Sequence, residues 1–441
     1  MKTKLHYVLF LFSLLIFNYS YSQTQIPDPI FEQYLIDQGY DVAPIDGSVP
    51  TANIENVTML DFYSAGITTL SNLTGIEDFT ALTYLNIYTN IAINTIDVSN
   101  NTALTTLNVS STSLISLDIS NNIALTYLNV SSTSINNLDV SLNTALNVLQ
   151  VFNTPINTLD VSTNTALTVL QVFSTLISSL DVSTNTALTD LNVHSSSLSS
   201  LDVSTNTVLT ILNVSSTSIT SLDVSTNTSL TNLSVSTTSI SSLDVSTNIA
   251  LTRLNVSSTS LTNLDVSTNT ALTALLIADT QISNLDVSTN TALIQLFGYY
   301  TSLSSLDVST NNALTFLRVT NTPDLDCITV ANESEATAGT GIYANWLKDV
   351  DDSYSEDCDA LGISDFDISK VYVGPNPIKD ELDIVLNNLT VLNNVSLFDI
   401  TGKLILTSTS THIPTSHIES GLYLIKITTD NGSFTKKLVK K

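Results

Sequence analysis

Positive charge is nearly missing from most of this sequence. Residues 23 to 93 contain nine acidic side chains and no Lys or Arg, residues 94 to 322 thirteen acids and two Arg, and residues 323 to 370 twelve acids and two Lys. Only 371 to 441 is balanced, with seven Lys and six acids, and the chain carries a formal charge of −27. A surface of this kind repels phosphate backbones, which excludes nucleic acid as a partner. Histidine is scarce as well: beyond the first 22 residues there are His194, His412 and His417. No Ser-His-Asp arrangement, H-E-x-x-H, P-loop or dinucleotide glycine motif is present, so the chain reads as a non-enzyme. The longest apolar run, "YVLFLFSLLIF", has eleven residues, too few to span a bilayer as a helix, and no transmembrane segment is expected.

That run sits between a basic start, "MKTK", and the small-residue end "SYS", which together read as a signal peptide over 1–22. No Cys lies near the cut, so a lipoprotein anchor is not expected. The exported chain begins near Gln23. Its 43% hydrophobic content argues for a buried core in spite of the abundant Ser, Thr and Asn.

What the sequence does have is repetition. The nine residues "LDVSTNTAL" stand at 159 to 167 and again from 180, 264 and 285. The Asp of this motif falls at 97, 118, 139, 160, 181, 202, 223, 244, 265, 286 and 307, an unbroken period of 21. Apolar residues keep the same phase: Leu104, Leu107, Val109, Leu114, Leu117 and Ile119 in one unit, Leu125, Leu128, Val130, Ile135, Leu138 and Val140 in the next. Such a unit has an apolar side that only a neighbouring copy covers, which is the signature of a solenoid. Strand alternation directs Leu107 and Val109 inward and Asn108 outward. The inward Asn of the second half (Asn122, Asn143, Asn164) is placed to bond backbone groups of adjacent turns.

Each half of the unit fits the L-x-x-L-x-L-x-x-N template. On these residues the chain resembles bacterial leucine-rich repeat proteins with 21-residue turns, over roughly 57 to 330. The resemblance implies a mainly β solenoid of short parallel strands. One departure is Thr at 112, 133 and 154 where the first half of the family unit has Asn, which leaves both halves as candidates for the continuous sheet.

The ends differ from the repeats. "IPDPIFEQYLIDQGY" predicts a helical N-terminal cap within 23–56, with Asp28 as the capping residue, Pro29 at its first position, Ile30, Phe31, Tyr34 and Leu35 on one side, and Gly39 at the stop. The solenoid occupies 57–322 and a C-terminal cap 323–358, with Trp346 as its apolar plug and "LDC" placing Cys327 at an inward position. Cys327 and Cys358, the only cysteines, suggest a disulfide in an exported protein; a metal site is the rival, weakened by the lack of a nearby His. A polar linker fills 359–370. From 371 to 441 alternating strands and a tight turn at Asn431-Gly432 predict a small antiparallel β-sandwich.

Residues 371–441 resemble the type A sorting domain of the type IX secretion system, through "PNP" at Pro375, Asn376 and Pro377, "DITGK" with Gly402, "GLYLIKI" from Gly421, and the basic end containing Lys437. The resemblance implies export through the translocon to the outer surface of a Gram-negative cell, removal of this domain, and surface attachment or release. These residues are the candidates read by the translocon, or simply makers of turns and strand edges.

Two further features bear on function. The repeat acids, such as Asp118, Asp139, Asp160 and Asp181, form a row, read either as carboxylates that are solvated or bonded by nearby Ser and Thr, or as a Ca²⁺ ladder; the Gly-rich calcium pattern of secreted β-helices is absent, and no other cofactor is expected. Outward positions of the first half vary: the place of Ser110 becomes Phe152, Phe173 and His194, and Phe297, Tyr299, Tyr300 and Phe316 gather near the end. Outward aromatic clusters mark recognition surfaces, although rings also stack along sheets for their own sake. The sequence therefore points to a surface or secreted protein that binds a protein or glycan, as an adhesin does. The alternative is a structural or calcium-stabilised spacer without a specific ligand.

Overall fold

Twenty-one residues per turn leave room for one three-residue strand in each, and a computed structural model shows those strands stacked. It describes residues 22–90, 92–358, 372–386, 391–429 and 432–441. All but Ser22 of the expected signal peptide, the expected linker 359–370 and Asn431 of the expected hairpin turn lie outside the described residues. The chain divides into two units, Met1–Glu356 and Asp357–Lys441.

The first unit is a parallel solenoid whose main sheet has 14 strands, running from Met59–Asp61 to Leu347–Lys348. Strands pair residue for residue with those one turn on, as in Leu107 with Leu128 and Leu128 with Leu149. The central Leu of each strand and the Val two residues later are fully buried, among them Leu107, Val109, Leu149 and Val151. It is the varying "LTxLxV" half that forms this sheet, which answers the question left by the Thr substitution. On this side main-chain pairing already joins the turns, and Thr112 needs only to close its own turn by donating to Val109 O at 2.7 Å.

The opposite half of each turn lacks strands over most of the length, so side chains must do the joining. Asn185, fully buried, donates through Nδ2 to Val161 O at 3.0 Å and Asn164 O at 2.9 Å of the preceding turn. The same pair of bonds recurs at each such Asn from Asn122 to Asn311. Their Oδ1 atoms are buried without a partner, so the amide serves as donor only. A second link runs outside it, where Thr163 Oγ1 donates to Ser141 O at 2.9 Å and later turns repeat the bond.

Just past each strand the chain turns through a residue with positive φ. These are Ser111, Ser132, Asn153, Ser174 and their successors at φ 53–57°, including the β-branched Thr237. None is Gly, although L-residues pay about 1–2 kcal/mol each for this conformation. The neighbouring turns on both sides impose it.

Both ends are sealed. The helix Pro29–Asp37 is capped by Asp28, whose Oδ1 accepts from Ile30 N at 2.8 Å while Oδ2 accepts from Ser71 N and Oγ at 2.8 Å, tying the helix to the first coil. Burial works against the Asp28 charge, but these bonds hold its carboxyl below the usual range. Phe31 packs on Phe62 and Phe79. At the far end Trp346 donates through Nε1 to Leu314 O at 3.1 Å and packs against Tyr343 and Tyr354. Cys327 and Cys358 form a disulfide. Cys327 does not take the inward position expected from "LDC". Leu306 pairs with Ile328, 22 residues on, because the last turn holds an extra residue; Ile328 and Val330 are the buried residues and Cys327 is half-buried.

The second unit contains two antiparallel sheets, of three and four strands, enclosing Val373, Leu382, Ile384, Val395, Leu397, Ile425 and Ile427. This is the β-sandwich expected at the C-terminus. Among the described residues no helix is long and apolar enough to cross a membrane.

Replacing Asn185 by Ala removes the inter-turn bond to two carbonyls at once and leaves each with only the backbone N–H of its own turn, from Asn164 N to Val161 O and from Leu167 N to Asn164 O. The expected loss is about 1–3 kcal/mol, the net worth of two hydrogen bonds, read as a lower midpoint in urea unfolding, whereas replacing the exposed Thr186 by Ala should cost under about 0.5 kcal/mol.

Candidate recognition surface on the sheet

Three outward columns run along the sheet: the first and third strand positions, and the position two residues after the strand. In five turns the last column is Ser, at 110, 131, 215, 236 and 257. Ser110 and Ser131 are buried because each folds back on the Asn two residues earlier, the hydroxyl donating to Asn108 or Asn129 Oδ1 at 2.6 Å. A Phe cannot make this bond. In the turns of Phe152 and Phe173 the preceding outward residue is accordingly Gln150 or Gln171, with a side chain long enough to reach the next turn instead.

Two parallel files result. The rings of Phe152 and Phe173 stack with centroids 4.3 Å apart and planes 7° apart, and Phe173 and His194 follow at 4.4 Å and 14°. Beside them Tyr127 Oη donates to Gln150 Oε1 at 2.9 Å, Gln150 Nε2 donates to Gln171 Oε1 at 3.0 Å, and Gln171 bonds Asp190. The sequence identified the three rings as one contiguous patch, and the structure places them so. It missed Tyr127, Gln150, Gln171 and Asp190. Their signal was present: the Asn-to-Gln change keeps the 21-residue phase, and Asp190 is the one acid at the first strand position.

Charge at this patch is costly. Burial pushes the Asp190 carboxyl up, opposed by the Gln171 bond, and burial pushes the His194 imidazole down.

The second aromatic group is less unified. Tyr299 and Tyr300 meet edge to face at 5.7 Å, and the Arg318 guanidinium lies 4.6 Å above the Tyr299 ring. Phe297 stands in register between Leu276 and Arg318, and Phe316 beside Gln295. Tyr300 occupies a positive-φ corner and borders a depression lined by Asp279, Thr280, Asn321 and Pro323.

The aspartate row has a local task. In each turn the Asp Oδ1 accepts from the backbone N of the Ser two residues on, at 2.9–3.0 Å from Asp97 to Asp307, including Asp118, Asp139, Asp160 and Asp181. Hydrogen bonds from these serines hold the carboxyls from Asp97 to Asp286 below the ordinary range. The row runs outside the continuous sheet, and among the described residues no three His, Cys, Asp or Glu side chains gather as a metal site would need.

In the C-terminal unit, Asn376 lies between Pro375 and Pro377 and clamps the last strand: Nδ2 donates to Lys437 O at 3.0 Å and Oδ1 accepts from Val439 N at 2.9 Å. Gly402 takes φ +84° in the turn closed by Asp399. Gly421 opens a long strand opposite Lys440, and the exposed Lys437 stands opposite Leu424.

The Asp190 shift sets a pH test. A carboxyl whose pKa is raised on folding favours the folded state below its ordinary value and loses that contribution as pH rises through the folded value. Asp190→Asn is therefore expected to raise the thermal midpoint at pH 7, with the gain shrinking toward zero near pH 3. The row from Asp97 to Asp286 has the opposite sign, stabilising above its ordinary range and failing as pH falls, but equally in both proteins.

Comparison with known proteins agrees with this architecture. Residues 370–441 match the family described as secretion system C-terminal sorting domain. The functional domain of InlJ from Listeria monocytogenes, which includes a cysteine ladder, is 25% identical, with 95% of this chain and 99% of that one covered at a TM-score of 0.56. The internalin InlF of the same organism is 21% identical over 70% of this chain and 96% of its own, at 0.59. A leucine-rich repeat protein of Leptospira interrogans is 19% identical over 67% and 81%, at 0.57. No curated protein matches. The chain is thus a solenoid of the leucine-rich repeat fold whose residues 370–441 match a secretion system sorting domain.

Proposed function

We propose that this is a binding protein of the cell surface or surroundings of a Gram-negative bacterium, delivered by the type IX system and acting by adhesion through the sheet face of its solenoid. The observation that carries the reading is the patch from Tyr127 to His194. Three half-buried rings and a half-buried carboxylate stand on the one side of the solenoid where the sequence varies. A raised carboxyl pKa means that Asp190 lowers stability at neutral pH, and a residue that costs stability on an outward face is typical of a functional site. The other half of each turn, with its Asp, Thr and Asn bonds, is committed to holding turns together, which makes calcium unnecessary to this reading. A spacer would need no such patch, and no convergent set of polar groups suggests catalysis.

Changing Phe152, Phe173 and His194 together to Ser, the residue of the same column at Ser131 and Ser215, should leave stability within about 1 kcal/mol. Binding of the purified protein to any ligand it captures on protein and glycan arrays should fall at least about tenfold. Undiminished binding by the folded variant, or no ligand on either array, refutes the reading. Export is tested separately: loss of 371–441 should leave the chain protected from added protease on intact cells, and cleavage there would refute the route.

A further inference from the structure

The ring stack is not symmetric at its ends. At the Phe152 end the next residue in the column, Ser131, is 2% exposed and bonded to Asn129. At the His194 end the pairing of Asp190 with Ile211 and of Asn192 with Asn213 brings Ser215 to the next place, and Ser215 is only half-buried. Its hydroxyl is occupied with Ser234 and Ser236, at 2.7 and 3.0 Å, and the column continues with the small residues Ser236 and Ser257. Ile211, which pairs with Asp190 four residues before Ser215, is 38% exposed. Within the stack, ring faces are covered by the ring one turn away. The outer face of His194 instead looks along the solenoid over a low floor of serines.

We propose that this face receives an aromatic side chain of a partner protein, which becomes the fourth ring of the stack. The proposal rests on the sheet face being the recognition surface and names its occupant. A planar ring over Ser215 gains a stacking partner, worth more than its buried area alone, in the offset geometry the stack already shows. Charge narrows the partner further. Asp190 lies four residues before His194 in the same extended segment, about 13 Å away. It is bonded by Gln171 and, among the described residues, has no salt-bridge partner. A Lys or Arg of the partner meets it there. The segment recognised thus combines a ring with a cation at that separation, which suits a chain whose formal charge is −27.

The test uses the full chain and an acetylated tetrapeptide amide, 5-fluoro-Trp-Gly-Gly-Lys, followed by fluorine NMR. Saturable binding is expected, weakened at least tenfold by His194→Ser and by Ser215→Phe, in which the protein supplies the fourth ring itself. Ser236→Phe, one turn further, leaves the His194 face open and should bind as before. Circular dichroism checks folding, and His194→Ser keeps the test decisive should Ser215→Phe not fold. Absence of saturable binding, equal binding by His194→Ser, equal binding of a Leu-Gly-Gly-Lys control, or preference for a methyl glycoside would overturn the proposal. Should Ser215→Phe keep an array ligand that the triple Ser variant loses, the sheet face stands as the binding surface and the fourth-ring site falls.

Discussion

Everything in the solenoid depends on the buried asparagine amide. A turn of 21 residues has two long sides, and main-chain pairing joins neighbours along only one of them. On the other side the carbonyls of Val161 and Asn164 each accept a backbone N–H of their own turn but have no strand of the next turn to bond, and Asn185 reaches both from that turn with one nitrogen. Because its Oδ1 is left without a partner, the position needs two donors and no acceptor, and neither Asp nor Leu could substitute. The requirement recurs in every turn, which explains why this half of the unit is so nearly invariant along the chain. The tolerance for positive φ at Ser111 and its successors follows from the same source: turns locked on both sides leave the corner no other path.

The two halves of the unit therefore carry different loads. Where side chains knit the turns, sequence freedom is small; where the backbone knits them, outward positions are released. The sheet side uses that freedom for Phe, His, Gln, Tyr and the unit's rare charges, and both solenoid arginines, Arg253 and Arg318, stand on strands of the sheet. The change from Asn108 to Gln150 shows how closely the columns depend on one another. Once Ser110 is replaced by a ring, the amide that held it loses its bond and must find another along the sheet.

Much of this was legible in the sequence because period and burial coincide. Inward Leu107 and Val109, the bridging Asn and the adjacency of Phe152, Phe173 and His194 all follow from a fixed phase of 21, and the helix capped at Asp28 from its own start and stop residues. What was not legible breaks or escapes that phase. The additional residue in the last turn slides Ile328 under Leu306 and moves Cys327 off the inward position. Ser, Thr and Tyr, which carry no sign of that conformation, hold most of the left-handed corners, and Asn153, Asp279 and Asn321 are the exceptions. The file from Tyr127 to Asp190 keeps the phase at Gln150 and Gln171, but it crosses from the first to the third strand position between turns, and which long side chains meet there is set by stacking and not by local sequence.

The stack ends at His194 and the second aromatic group begins at Tyr299, 105 residues and therefore five turns later, a separation of about 24 Å. Identical "LDVSTNTAL" segments at 180, 264 and 285 lie in the stretch between and around them. Gain or loss of a whole unit there would leave the ladder, the caps and both aromatic groups as they are, and would move the groups by one increment of about 4.8 Å. The solenoid is thus a ruler with discrete marks, on which a lineage could retune the spacing between two contact points by duplication or deletion, without a single change at either.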